Sequence, residues 1–97
     1  MVFIEEKNRI YVKNDNGETV AEVTFPDLSQ TVVHIDHTFV DSSLRGQGMA
    51  SRLLKAAAEK LRKENKRAVP SCSYADQWFR KNPEYSDVLY QGEGQYY

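Results

Sequence analysis

Residues Arg9 to Lys13 alternate Ile10 and Val12 with Arg9, Tyr11 and Lys13, the period-two pattern of a half-buried strand. Asn14-Asp15-Asn16-Gly17 follows. Asn-Gly predicts a tight hairpin, because both residues tolerate positive φ. Glu18 to Phe25 then pairs back, with Ala21, Val23 and Phe25 toward the core and Val20, Glu22 and Thr24 on a more polar side. Phe3 to Glu6 reads as a short strand ahead of the hairpin, and Pro26-Asp27 ends the hairpin. Thr31 to Val40 is the longest strand expected. One face carries Val33, Ile35, His37 and Phe39, the other Val32, His34, Asp36, Thr38 and Val40. Apolar residues on both faces predict a central strand covered on two sides, with His37 among apolar neighbours.

The period then changes. Gly48 to about Asn65 carries Met49, Leu53, Leu54, Ala57, Ala58 and Leu61 at three- and four-residue spacing, the stripe of an amphipathic helix. Glu59 and Lys63 stand four apart, where an ion pair is expected. Arg67 to Ser73 reads as a strand broken at Pro70. Tyr74 to Lys81 reads as a short helix presenting Ala75, Trp78 and Phe79 to the core. Asn82-Pro83 ends it, and Val88 to Tyr90 forms a last strand. The order predicts an α/β (α+β) fold: an antiparallel meander, then a βαβ unit whose two strands are parallel. Antiparallel pairing gives way to parallel pairing at Thr31–Val40, the kind of place where open α/β sheets bind ligands.

Ninety-seven residues predict one domain, residues 1–97, with Gln91 to Tyr97 as a frayed tail. The net charge of −1 gives no basic excess of the kind that marks a nucleic-acid binder. Arg52, Lys55, Lys60, Arg62, Lys63, Lys66 and Arg67 cluster along the long helix, where they read as a solvated face. No apolar run approaches the ~20 residues that cross a bilayer. The N-terminus lacks a secretory pattern, and the single cysteine, Cys72, allows no internal disulfide. A cytoplasmic protein, monomer or weak homodimer, is expected.

Val40 to Ala50, VDSSLRGQGMA, joins the longest strand to the long helix. The first N–H groups of a helix have no partner within it, and the dipole makes that end partly positive. Glycine lets the main chain approach an anion closely. A strand that stops in such a turn, with a helix leaving it, suits a phosphate. Two glycine motifs are absent: there is no G-x-x-x-x-G-K-[ST] and no full G-x-G-x-x-G with its later acidic partner.

Arg45-Gly46-Gln47-Gly48-Met49-Ala50 resembles motif A of the GNAT acetyltransferase superfamily, [Q/R]-x-x-G-x-[G/A]. The resemblance extends to His37-Thr38-Phe39-Val40 upstream and Ser51-Arg52-Leu53-Leu54 downstream. Cys72-Ser73-Tyr74 and Asn82-Pro83-Glu84-Tyr85 further resemble a small single-domain GNAT-like subfamily with a cysteine after the helix. The resemblance implies a mixed sheet with a V-shaped splay and acetyl-CoA as the bound carrier. It places the pyrophosphate on main-chain N–H groups of Gly46, Gln47, Gly48, Met49 and Ala50, with Arg45 at the turn. Thr38, Phe39 and Val40 would offer main-chain groups to the pantetheine arm of coenzyme A. The implied reaction is acetyl transfer to an amine, on a small molecule or a peptide.

Such a transfer needs a group that takes the amine proton and one that meets the departing thiolate. His34, Asp36 and His37 are candidate bases; His34 has an alternative as a surface or core-satisfied residue, and His37 as a structural one with its ring bonded to the main chain. Cys72 can accept the acetyl group, donate a proton, or simply pack beside Pro70. Tyr74 is the alternative acid. Many GNAT enzymes carry two helices between their first strands; here Asn16-Gly17 stands in that interval, so the acceptor side is expected to be open. Two other outcomes fit the same residues: a coenzyme A-binding module without catalysis, and an interaction domain without ligand.

Overall fold

The structure is a computed structural model that describes residues 2–92. Strands β1 (Phe3–Glu6), β2 (Arg9–Lys13), β3 (Thr19–Thr24), β4 (Val32–Ile35) and β5 (His37–Val40) precede helix α1 (Met49–Lys63), followed by β6 (Arg67–Pro70) and helix α2 (Ser73–Lys81). Four strands form an antiparallel sheet in the order β1-β2-β3-β5, and β4 pairs with β6 in parallel. The expected frayed tail begins at Gln91, and residues 93–97 of it lie outside those described.

The continuous strand expected at Thr31–Val40 is two. His37 pairs with Thr24 across β5 and β3, and the Asp36 N–H also points at the Thr24 carbonyl, at 3.3 Å. Asp36 is thus the extra residue of a β-bulge, which shifts the alternation by one position. Val33 and Ile35 face the core before it; Thr38 and Val40, in register with Val23 and Ala21, face it afterwards. His37 is therefore exposed rather than packed among apolar neighbours, and Phe39 is 38% exposed on the outer face.

The helix stripe appears as the spacing predicts: Met49, Leu53, Leu54, Ala57, Ala58 and Leu61 are all buried, in one cluster with Ile10, Val12, Ala21, Val23 and Phe25. Truncating Leu53, Leu54 or Leu61 would cost about 2–5 kcal/mol each. α1 ends where Asn65, at φ 58°, turns left-handed and the Lys66 N–H reaches the Leu61 carbonyl, a common helix terminator. The hairpin differs in detail. Gly17 alone takes positive φ, while the Asn14 side chain accepts from the N–H groups of Asn16 and Glu18. Tyr11, on the polar side of β2, is only 8% exposed, because Arg9 lies 3.7 Å from its ring centre. The expected Glu59–Lys63 pair is replaced by Lys60–Glu64 at 2.6 Å, since Glu59 accepts from the Tyr85 hydroxyl instead.

β6 ends at Pro70 rather than Ser73. The expected last strand reduces to one bridge between Ala68 and Leu89, preceded by a 3₁₀ segment, Pro83–Val88. That segment is clasped to α1 by Arg62, which donates twice to the Asp87 carboxylate, at 2.8 and 2.6 Å, and once to the Glu84 carbonyl. No helix among the described residues is long and apolar enough to cross a membrane.

The Arg62 hydrogen bond holds the Asp87 carboxyl below the usual carboxylate range. A carboxyl depressed in the folded state contributes stability above its unfolded pKa and loses it as pH falls through the lower folded value. Denaturant titrations between about pH 5 and pH 2 are expected to show a steeper stability loss for the wild type than for Asp87→Asn. The pair is exposed, so the difference should shrink in roughly 0.5 M salt.

Candidate active site

The bulge makes the site. Up to Ile35 the chain is tied to β6: the N–H groups of Ser71 and Cys72 both reach the Ile35 carbonyl, at 3.0 Å. Beyond it β5 follows β3 while the other chain enters α2, and the two diverge. Directly opposed residues of an antiparallel ladder alternate between bonded and non-bonded pairs. The Asp41 N–H donates to Val20, so by register Phe39 bonds Glu22 and His37 bonds Thr24. Thr38 and Val40 therefore turn their N–H and C=O groups away from β3, into the divergence. Phe39 directs its main chain to β3 and its ring to the outer face.

The strand leaves this edge through Asp41, whose carboxylate accepts from the Ser43 N–H and hydroxyl, at 3.0 and 2.6 Å. Those bonds hold the Asp41 carboxyl below its ordinary range and fix a 3₁₀ turn, Ser42–Leu44. Gly46 and Gly48 follow at φ 82° and 70°, a region that costs other residues about 1–2 kcal/mol. A Cβ at either glycine would meet no heavy atom within 4 Å; dihedral angle, not crowding, requires glycine there, and the space above the turn is open. The first helical bond of α1 runs from the Arg52 N–H to Gly48. Gly48 supplies no side-chain cap, and no acidic residue stands in the first turn. The N–H groups of Met49, Ala50 and Ser51 thus have no acceptor among the described residues, and they face an open cleft of about 200 Å³ lined by Val40, Arg45, Gly46, Gly48, Ala50 and Tyr74.

Cys72 stands where the two chains separate. It is the N-cap of α2: its sulfur accepts from the Ala75 N–H at 3.4 Å. The Thr38 hydroxyl lies 3.5 Å from the same sulfur. Cys72 is half-buried, and Tyr74, two residues on, is 42% exposed at the cleft. The second half of α2 is fastened to the first turn of α1 by the Trp78 indole N–H, which donates to Ser51 at 2.8 Å; Trp78 and Phe79 are core residues, as expected.

Not every predicted residue joins this cleft. His34 projects from β4 on the side opposite Val33 and Ile35, and its Nδ1 meets the Ser71 hydroxyl at 3.3 Å. It makes no hydrogen bond to Cys72 or Tyr74. Asp36 accepts from the Thr24 hydroxyl at 2.6 Å, and this carboxylate and His37 emerge on the sheet face that no helix covers. The Thr38 side chain, Ser71 and the Ser51–Trp78 link were not singled out by sequence, because hydroxyl residues in strands and helix starts carry no pattern of their own. The described residues contain no cluster of three His, Cys, Asp or Glu side chains able to hold a metal.

A family profile described as GCN5-related N-acetyl-transferase matches residues 9–88. The chain belongs to the GCN5-related N-acetyltransferase family. Its match to protein NATD1 of Gallus gallus is 29% identical over 80 residues, 81% of this chain and 73% of that protein. An NMR structure of a GCN5-like protein from Staphylococcus aureus superposes with a TM-score of 0.76 and 31% identity, over 99% of this chain and 96% of that one. Tetrahymena GCN5 shares the fold at a TM-score of 0.61 and 14% identity, over 78% of this chain and 51% of its own. The antiparallel sheet, the parallel pair and the helix between them are the acetyltransferase architecture of these neighbours.

The open turn gives a direct test of an anion site in this family member. Gly48→Asp places a carboxylate beside the unpaired N–H groups while tolerating positive φ better than most residues. It is expected to leave the circular dichroism spectrum native and to weaken coenzyme A binding by roughly a hundredfold or more in calorimetry, through like-charge contact.

Proposed function

We propose that this protein is an acetyl-CoA-dependent N-acetyltransferase that passes an acetyl group to a primary amine. One observation carries the reading: a free strand edge at Thr38 and Val40 runs from a glycine turn with unpaired amides to a cysteine at the fork. A carrier with a diphosphate, two amide-bearing segments and a terminal thioester matches that line in order. The residues fit it. The N–H groups from Gly46 to Ala50 hold the diphosphate, aided by the helix end, with Arg45 as countercharge. Thr38 and Val40 pair with the amides of the arm as a further strand would. The carrier supplies an activated acetyl group.

The chain's own groups then act at the fork. Cys72, at a helix N-terminus with a donor on its sulfur, receives the acetyl group. Tyr74, at the cleft wall, relays to the departing sulfur the proton that Cys72 gives up. The acceptor amine approaches across the uncovered sheet face, where the Asn16-Gly17 hairpin leaves no helices in the way, and His34, on that face beside Ser71, takes its proton through a water. The acceptor is a small-molecule or peptide amine.

The test follows amide shifts during titration with coenzyme A, then acyl transfer from labelled acetyl-CoA to a panel of amines. Gly46 to Ala50 and Thr38 to Val40 should shift, and intact mass should show one acetyl group on Cys72. Cys72→Ser should keep the binding shifts and lose at least roughly a hundredfold in transfer. Unshifted amides at saturating ligand would overturn the carrier; unchanged turnover in Cys72→Ser would remove the thiol from the reaction.

A further inference from the structure

We infer that the Thr38 side chain, as distinct from its main chain, is a positioning residue for the Cys72 sulfur. The inference deepens the reading of Cys72 as acetyl acceptor and rests on it. Thr38 follows the bulge by two residues, so its side chain lies on the core face with Val23, on the side where Cys72 packs against the core. Without the extra residue at Asp36 the alternation would send this hydroxyl to the opposite face. The Thr38 Oγ1 has one hydrogen-bond partner among the described residues, the Cys72 sulfur at 3.5 Å. That contact is the side-chain hydrogen bond that joins β5 to the start of α2, the two lips of the divergence.

The sulfur already accepts from the Ala75 N–H, at 3.4 Å. An amide N–H can only donate, so it cannot receive the thiol proton. A hydroxyl can do either. While Cys72 carries its proton, the S–H donates to Thr38 Oγ1. Once the proton has left, the hydroxyl rotates and donates to the anionic sulfur, and such charge-assisted bonds are the stronger kind. In the acylation step the Cys72 sulfur bonds to the acetyl carbonyl carbon, and the bond from that carbon to the carrier sulfur breaks. The proton from Cys72 ends on the departing carrier thiolate, so no other reactant is needed. Thr38 touches the nucleophile before and during that step, and its hydroxyl holds the sulfur aimed along the free strand edge on which its own main chain would hold the arm.

Cys72 is the chain's single cysteine, so alkylation by iodoacetamide reads this sulfur alone and needs no carrier. Thr38→Val keeps the shape and removes the hydroxyl; Thr38→Ser keeps the hydroxyl and removes the methyl. Thr38→Val should slow alkylation, and acetyl loading of Cys72 from acetyl-CoA, by roughly tenfold, the worth of a hydrogen bond to a charged group. Thr38→Ser should restore both to within about threefold of wild type. Alkylation of Thr38→Val at the wild-type rate overturns the inference, and so does equal slowing in Thr38→Val and Thr38→Ser, which would assign the effect to disturbed packing at the position rather than to the hydroxyl. If alkylation follows the hydroxyl while no protein takes up acetyl, the Thr38 role stands and the acetyl-cysteine reading falls.

Discussion

One carbonyl oxygen organises this molecule. Thr24 C=O receives the N–H groups of both Asp36 and His37, so a chain that could have run straight spends two residues opposite one. The immediate effect is local: the alternation slips, and residues two apart in sequence change faces. The larger effect is topological. Ile35 remains bonded to the parallel partner, while His37 belongs to the antiparallel sheet. A continuous strand would have to pair on both edges along its length, leaving no main-chain groups free. The bulge lets one edge be shared at β4 and left open at β5.

What the open edge can do depends on where its ends are fixed. At one end Asp41 and the two left-handed glycines turn the chain sharply into α1. The position of α1 is set by its stripe of buried side chains against β2, β3 and β5. At the other end Cys72 caps α2, and Trp78 ties α2 to the first turn of α1. The uncapped amides and the sulfur are therefore held by the same core, at opposite ends of one strand edge. Hydrophobic burial supplies the energy for this arrangement; the hydrogen bonds at the turn, the fork and the indole select the geometry.

The legible part of the fold was the part written in periodicity. Six residues at helical spacing located the buried face of α1, and alternation located β2 and β3, because burying one face requires those intervals. The glycine turn was legible because few residues tolerate its dihedral angles. The bulge was not legible: Asp36 and His37 are ordinary residues for either face, and only pairing with Thr24 fixes their direction. Hence the faces assigned to His37, Thr38 and Phe39 were shifted by one. Tyr11 shows the same limit. Its place on the polar face was readable, but its burial under the Arg9 guanidinium depends on a cation–π contact that sequence spacing does not specify.

The same slip of one residue decides which candidate groups share a site. His34 precedes the bulge and stays with Ser71 on the uncovered side; Thr38 follows it and meets Cys72 on the core side. A single plane of strands thus separates an imidazole from a thiol that the sequence offered together as candidate catalytic groups. For a reaction in which a carrier delivers a group from one direction and an amine arrives from another, that separation is an asset. The carrier edge and sulfur are partly sheltered by α1 and α2. In the proposed transfer the amine would approach over a bare sheet face with an oriented carboxylate, Asp36, and exposed rings at its rim. The hairpin at Asn16-Gly17 joins β2 to β3 without a helix and keeps that face bare, so in the proposed reaction a tight turn sets how large an acceptor could be.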